Sequence, residues 1–518
     1  MLWRVFSLIF NHARVQRNDS RFPRHASRFR SLVKFLLARL FHLRRLAVNI
    51  PHITVAFPAV RFVSSCRTIL RSRSPRENQF KISNARLRIF LATLLATSVQ
   101  SQSVPAASTT AQPSSASPVA ILAGRLIDVR TGHVATNAYI VVEKDRIARI
   151  VTAAPAGMKI IDLSKYTVVP GLIDCHAHLL GNPKDQSAMS GLRMSSGQAA
   201  IWGVHNVTIW LDHGFTALRD AGESDIGYGQ LALRNSIERG LIRGPRIVSA
   251  GNFVSLTGGH GDADLLAPDK SLPRAPNMAD TVDQVSVAVR RDIKFGADWI
   301  KLMATGGVMD PISDYTVQEL SQEQMAKAVE IAHRAGKKVM AHAEGSEGIK
   351  AAVRAGVDSI EHGTVLDEEG AKLMEQHGTW LVPTLFCFQH DMVTGLSQGR
   401  DPASFAKGVA IINEQGPAFK RALDHHLKIA YGLDDDPDFV SKEFGALVRG
   451  GMTPIEALKA ATINGAELMG RSKDIGSIEP GKYADIVAVD GDPLSDITVM
   501  EKVTFVMKGG EVYKAVAQ

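Results

Sequence analysis

Cysteine is scarce in this sequence. Only Cys66, Cys175 and Cys387 occur in 518 residues, which excludes a disulfide framework. Cys66 falls in a basic N-terminal stretch, so at most one pair can form in the body. Acidic residues are nearly missing from that stretch: residues 1–86 hold 18 Lys+Arg but only Asp19 and Glu77. The formal net charge of +8 therefore belongs to the leader, and the remainder, with 42 basic and 50 acidic residues, is mildly acidic. It offers no basic stripe for phosphate, so nucleic acid is not expected as a partner. Long apolar runs are absent too. The run at residues 89–96 has eight residues, too few for a stable membrane span. No cysteine follows it, which argues against a lipoprotein anchor.

The leader does carry targeting features. Residues 28–45, RFRSLVKFLLARLFHLRR, form a basic amphipathic stretch suited to a membrane surface or a transit peptide. Arg86 and Arg88 precede the apolar run at 89–96, and small and polar residues follow it. That is the layout of a secretory signal over about residues 81–105, and it predicts export to the periplasm or beyond. No Met lies between Met1 and Met158, and the layout is read as a translation start near residue 81, with a long targeting leader as the competing reading. Residues 101–118 are a Ser/Ala/Pro-rich linker, so folded structure is expected from Val119.

From about residue 200 one pattern recurs: amphipathic helix, glycine, short β-rich run, polar residue. Gly336 precedes His342 by six, Gly356 precedes His362 by six, Gly214 precedes Asp220 by six, Gly378 precedes Thr384 by six, and Gly296 precedes Lys301 by five. Each glycine ends a helix in a left-handed conformation, and each polar residue ends a buried strand. The TPIE segment, with Thr453 as cap and Glu456 three residues on, is a capping box opening a helix to Leu468. Repeated βα units predict a parallel sheet. Chemistry gathered at one end favours a closed (β/α)8 TIM barrel over an open doubly wound sheet. β-rich pieces flank the barrel on both sides, and neither can bury enough alone. The expected domains are a leader and linker at 1–118, a small β-sandwich built from 119–170 plus 475–518, and the barrel at 171–474.

The first functional signal is GLIDCHAHLLG. A strand's period of two points His176 and His178 to one face and Cys175 to the other. Alone, that pair reads equally well as core histidines or as half a metal site. The strand-end residues then extend it to an ordered set: His176, His178, Lys301, His342, His362 and Asp434. Four histidines with a carboxylate suit metals of the zinc class. Lysine is the odd member. Its ammonium would repel a cation, whereas its neutral amine can add carbon dioxide and become a bridging carbamate.

The segments GLIDCHAHL, IKLMATGGVMD, VMAHAEG, SIEHGT and YGLDDD together resemble the metal-dependent amidohydrolase superfamily, over about residues 119–515. The branch most alike holds imidazolonepropionase-like proteins, prolidases, Xaa-Arg dipeptidases and ochratoxin-type amidases. The resemblance implies a barrel with a flanking sandwich and two divalent ions, usually zinc. It places His176 and His178 on the first ion, His342 and His362 on the second, and carboxylated Lys301 between them. Asp434 would bind the first ion and act as general base, and His260, in LTGGHGD, would contact substrate.

Departures from the pattern are specific. Strand eight reads GLDDDPDFVSKEF where the family often has G-T-D-A-G; position favours Asp434 over Asp435 and Asp436. Glu344 stands where some relatives carry an aromatic or a histidine that helps hold a carboxylate, which weakens a prolidase assignment in detail. His205, His213, His333 and His377 are expected on helices or their ends, and His390, His425 and His426 have no assigned role. Arg219 and Asp220 are read either as support behind the metal ligands or as a barrel ion pair, with the ion pair favoured, and Trp380, Phe386 and Phe388 as core or pocket wall. The expected activity is hydrolysis of an amide in a dipeptide or N-acyl amino acid. The alternatives are a cyclic-amide hydrolase or deaminase on the same metals, and a metal-binding relative without catalysis. Lys301 argues against deamination. A homo-oligomer is left open.

Overall fold

The computed structural model describes residues 118–516, apart from Ala188 and Ser271. The basic leader, the signal-like segment and most of the linker lie outside the described residues.

Burial is mixed along Val119–Ile127 (β1), Val134–Glu143 (β2), Arg146–Val151 (β3) and Lys159–Pro170 (β4), each strand combining buried and more exposed positions. The pattern then changes. Leu172–Ala177 (β5), Phe215–Asp220 (β6), Arg246–Ser249 (β7), Phe253–Val254 (β8), Trp299–Met303 (β9), Lys338–Ala343 (β10), Ser359–His362 (β11) and Trp380–Val382 (β12) are almost wholly buried. Strands covered on both faces are what a parallel sheet wrapped in helices requires. The chain closes with Ile486–Val489 (β13), Val503–Lys508 (β14) and Glu511–Lys514 (β15).

The parallel strands are seen as two arcs, β5-β6-β7 and β12-β11-β10-β9-β8, and not as one continuous eight-stranded ring. Two local features break the ladder. Gly251, with φ +72°, turns the chain between β7 and β8. Residues 427–434, expected as the eighth strand, make a single ladder bridge, Leu381 to Ile429. Their backbone nevertheless reaches both neighbours: Ala430 N donates to Leu381 O at 3.0 Å and Cys175 N to Tyr431 O at 2.8 Å. Asp434 N donates to His176 O at 3.0 Å, and Asp434 has φ +59°, which ends the extended run there.

The flanking pieces come from both ends of the catalytic region, as expected. They form one seven-stranded sheet, β15-β14-β13-β4-β1-β2-β3, where two stacked sheets were anticipated. β4 is the hinge of this arrangement, pairing parallel with β1 and antiparallel with β13.

Helix ends follow local chemistry. Gly214, Gly296, Gly336, Gly356 and Gly378 all have positive φ, so the glycine-to-strand pattern marks true helix ends. Thr453 and Glu456 form the predicted capping box. The helix they open runs over Pro454–Lys459, passes through a π-helical turn at Ala460–Asn464 and resumes at Gly465–Leu468. The wider turn lets Ala460 O accept from Tyr431 N at 3.1 Å and Asn464 Nδ2 reach Ile429 O at 2.8 Å, tying the helix to the eighth-strand segment.

Candidate metal centre

Parallel strands share one C-terminal end, and β5, β9, β10 and β11 deliver their polar residues there. His176 Nε2 and His178 Nε2 lie 3.5 Å and 3.4 Å from Asp434 Oδ1. Candidate ligand atoms of these three residues all fall within 4.8 Å of one another. The imidazoles then continue as a chain of rings. Centroids are 4.9 Å apart for His176 and His362, 4.7 Å for His362 and His342, and 4.4 Å for His342 and His260. Asp434 Oδ2 is 3.9 Å from His362 Nδ1.

Each ring is oriented through one nitrogen, leaving the other available. His176 Nδ1 is 2.8 Å from Glu361 Oε2, His178 Nδ1 is 2.7 Å from Gly222 O, and His362 Nδ1 is 2.8 Å from Thr384 Oγ1. His342 uses Nε2, 3.1 Å from Gly306 O. Holding the second nitrogen in this way fixes the tautomer of a ligating histidine. Burial, reinforced by the Lys301 charge, holds His176 well below the usual imidazole range and His178 at about 4. Burial and neighbouring imidazoles do the same to His342 and His362. Neutral rings are the form that binds cations.

Lys301 is buried and forms no hydrogen bond or ion pair with any described residue. Burial lowers its pKa, against the pull of Glu361 and Asp434. Burial pushes Asp434 up to about 8; Lys301 opposes this, while Asp435 and Asp391 add to it. The three consecutive acids have separate partners. Asp435 Oδ2 meets His390 Nδ1 at 2.7 Å, and Asp436 accepts from Asp438 N at 3.0 Å, so Asp434 alone of the three faces His176, His178 and His362. His390 thereby acquires a structural partner that the sequence did not assign. Glu344 is buried with Oε2 unpartnered, and burial followed by the Asp434 charge pushes it up to about 8.

His260 is held twice. Its backbone N donates to Glu319 Oε1 at 2.8 Å, and Nδ1 lies 2.7 Å from Asp310 Oδ2. Its ring stacks on His342 at an interplanar angle of 28°.

Three residues behind the site escaped the sequence reading. Asp174 accepts from His176 N at 2.9 Å, Leu433 N at 3.2 Å and Trp210 Nε1 at 3.0 Å, coupling β5 to the segment that carries Asp434. Glu361, fully buried, holds His176. Thr384, known only as a strand-end residue, holds His362. Each stands inside or beside a motif already singled out, but a buried carboxylate facing inward leaves no periodic trace. Arg219 and Asp220 are not a pair. Arg219 Nη2 contacts both Glu361 oxygens at 2.9 Å, whereas Asp220 accepts the Ser249 hydroxyl at 2.5 Å. Asp220 instead groups with His178 and Glu223.

The profile of the Amidohydrolase family matches residues 167–513, a span that contains every residue above. The chain belongs to the amidohydrolase family. Ochratoxinase from Aspergillus niger is 33% identical over 430 residues, covering 76% of this chain and 86% of that protein. The crystal structure of a Xaa-Pro dipeptidase with bound methionine superposes with a TM-score of 0.72 at 33% identity, covering 77% of this chain and 100% of the other. A prolidase complexed with N-methylphosphonate-L-proline gives 0.71 at 32% identity over 77% and 100% of the two chains.

The donor set of this amidohydrolase fits a divalent metal. His176 Nε2 is buried with no hydrogen-bond partner, an expense that a bound cation removes. A separate cavity of about 360 Å³ lies at the opposite strand ends, lined by Trp380, Lys428 and Glu467 among others, and none of the site residues lines it.

Proposed function

We propose that this amidohydrolase cleaves the amide bond of a dipeptide or N-acyl amino acid at a centre built for two divalent ions. The observation that carries the reading is Lys301: a buried amine with no hydrogen-bond or ion-pair partner among the described residues, set among four imidazoles held below their usual range and a carboxylate. In its uncharged form, which burial favours, such an amine can add carbon dioxide, and the resulting carbamate would supply the shared anion. His176, His178 and Asp434 would hold one ion, His342 and His362 the other, with Lys301 between. Zinc suits this nitrogen-rich set. A bound pair of this kind supplies Lewis acidity, making a water more acidic and the carbonyl more electrophilic.

The chain's own residues do the rest. Water adds to the carbonyl carbon and the C–N bond breaks. Asp434 takes the proton that water loses and passes it to the leaving amine nitrogen. His260 Nε2, which has no hydrogen-bond partner among the described residues, meets the carbonyl oxygen as negative charge develops there. The likeness to the Xaa-Pro dipeptidase and prolidase structures, at about one-third identity, supports an amino acid as the leaving group.

The test combines metal analysis with a screen of dipeptides and N-acyl amino acids. Wild type should carry two metal equivalents per chain, show a carbamate carbon after reconstitution in 13C-bicarbonate, and turn over a member of the panel. Lys301→Ala should lose the carbamate and most activity. One metal per chain with an unmodified amine would overturn the binuclear reading in favour of deaminase-type chemistry; full metal without turnover would favour a binding relative.

The same reading takes the two parallel arcs, joined through residues 427–434, as a (β/α)8 barrel over 171–474, flanked by the sheet from 119–170 and 475–518. Export through residues 81–105 follows as a proposal that fractionation of expressing cells tests. A homo-oligomer is tested by light scattering.

A further inference from the structure

We propose that Asp310 is the positioning residue for His260, on a loop that Lys407 clamps over the site. The inference rests on the reading that His260 meets the substrate.

The loop after β9 is built around one carboxylate. Asp310 Oδ1 accepts from Ile312 N at 2.8 Å and Ser313 N at 2.6 Å, and Oδ2 accepts the Ser313 hydroxyl at 2.5 Å. These are Asx-turn bonds, with Pro311 limiting the backbone between them. They leave Oδ2 facing His260 Nδ1 at 2.7 Å. Burial alone would raise the Asp310 pKa, but the bonds from His260 and Ser313 hold it below the ordinary carboxylate range. It is therefore an acceptor: Nδ1–H donates to it and Nε2 is turned the other way, and because Nε2 must itself carry a proton to meet a carbonyl oxygen, the acting form of the ring is the doubly protonated one with Asp310 as its counter-charge.

Two further contacts press the loop onto the ring. Lys407, from the helix Pro402–Asp424, donates to Gly307 O at 2.6 Å and Ser313 O at 2.7 Å, spanning the loop from one end to the other. A Cβ at Gly307 would lie 2.4 Å from His260 Cε1, so the backbone there sits against the imidazole with no room for a side chain. With His342 stacked at 4.4 Å, the ring has little freedom left. A histidine needed only for folding would not require a dedicated carboxylate, a lysine clamp and a glycine together. One that must present Nε2 in a fixed direction would.

A double-mutant cycle tests this. Asp310→Ala should lower kcat by about 10–100-fold, taking the range known for partners that orient metal-bound histidines as the guide for this substrate-facing one. KM should change less. Asp310→Asn, which can still accept from Nδ1, should recover part of the loss. Placed on a His260→Ala background, Asp310→Ala should add little, because its effect runs through the ring. A full additional loss on that background would overturn the proposal and make Asp310 a structural residue. A second readout needs no turnover. In 15N-histidine spectra of the protein as purified, the signal removed by His260→Ala should report a proton on Nδ1, and Asp310→Ala should shift it. An unshifted signal would also overturn the proposal. If wild type binds no metal and cleaves nothing on the panel, the proposed function fails, and the spectra still decide the Asp310–His260 relation.

Discussion

Replacing Glu361 with glutamine should separate what holds the site together from what performs the chemistry. The pair it breaks is entirely internal: Arg219 and Glu361 are both fully buried. Arg219 Nη2 contacts both carboxylate oxygens, Nη1 donates to Ser359 Oγ at 2.9 Å, and Nε donates to Cys175 O at 2.6 Å. In Glu361→Gln the guanidinium keeps its two neutral acceptors but loses its counter-charge while remaining fully buried. Removing one partner of a buried pair costs about 3–5 kcal/mol. The glutamine carbonyl can still accept from His176 Nδ1, so the imidazole keeps its tautomer while its basicity falls. Metal affinity should drop by about 10–100-fold. Urea unfolding of the metal-free protein reads the first effect, and competition with a chelator reads the second. Arg219→Met with Glu361→Gln together should recover part of the lost stability, because no buried charge remains, without restoring metal affinity. A single variant as stable as wild type would refute the claim that this ion pair anchors the β11 side of the centre.

Two other outcomes follow from the same structure. Gly307→Ala should cut turnover while metal content stays at the wild-type level, because its Cβ would strike the His260 ring and no metal-facing histidine nitrogen; loss of metal in parallel would contradict it. Asp292, pushed by burial from the ordinary carboxylate value of about 3.8 up to about 7, has Oδ2 unpartnered among the described residues and so stays protonated in the fold where the unfolded chain ionises. Wild-type stability should then fall, relative to Asp292→Asn, as pH rises from about 4 to 7, at up to about 1.4 kcal/mol per pH unit, and level off above. Urea midpoints that diverge with the opposite sign would refute it.

The part of the fold that the sequence disclosed is the part with a period. Glycine followed five or six residues later by a polar residue located the helix ends, the buried strands and the strand-end side chains. A capping box located one helix start. What had no period stayed hidden. Residues 427–434 read as an ordinary strand because their composition is apolar, and nothing local announces that the chain hands its hydrogen bonds from β12 to β5. The flanking strands were assigned correctly to both ends, but whether they lie in one sheet or two depends on β4 pairing with both β1 and β13. In the site, the residues that face inward from strand ends were legible. Those that hold them, Asp174, Glu361, Thr384 and Asp310, were not, because supporting a histidine demands only an acceptor within reach, and any loop can supply one.

The backbone adds a different kind of evidence. Most residues with positive φ here are glycines, but His362, Thr384 and Asp434 are also left-handed, at +72°, +47° and +59°. A non-glycine in that region costs about 1–2 kcal/mol, and it persists only where the surroundings over-determine it. The surroundings do so here. Asp434 N is fixed to His176 O, the His362 ring to Thr384 Oγ1, and Gly363 N to Ala343 O at 3.1 Å, so the strained turns are tied to β5 and β10 and to each other. A strand that simply continued would carry its next side chain to the opposite face. The left-handed step at its last residue instead turns the chain away while keeping the carboxylate or imidazole over the strand ends. Three such steps on consecutive units, with Thr384 supporting the ring of His362, mean that stability is given up where the convergent donors are needed and recovered in the buried strands beneath.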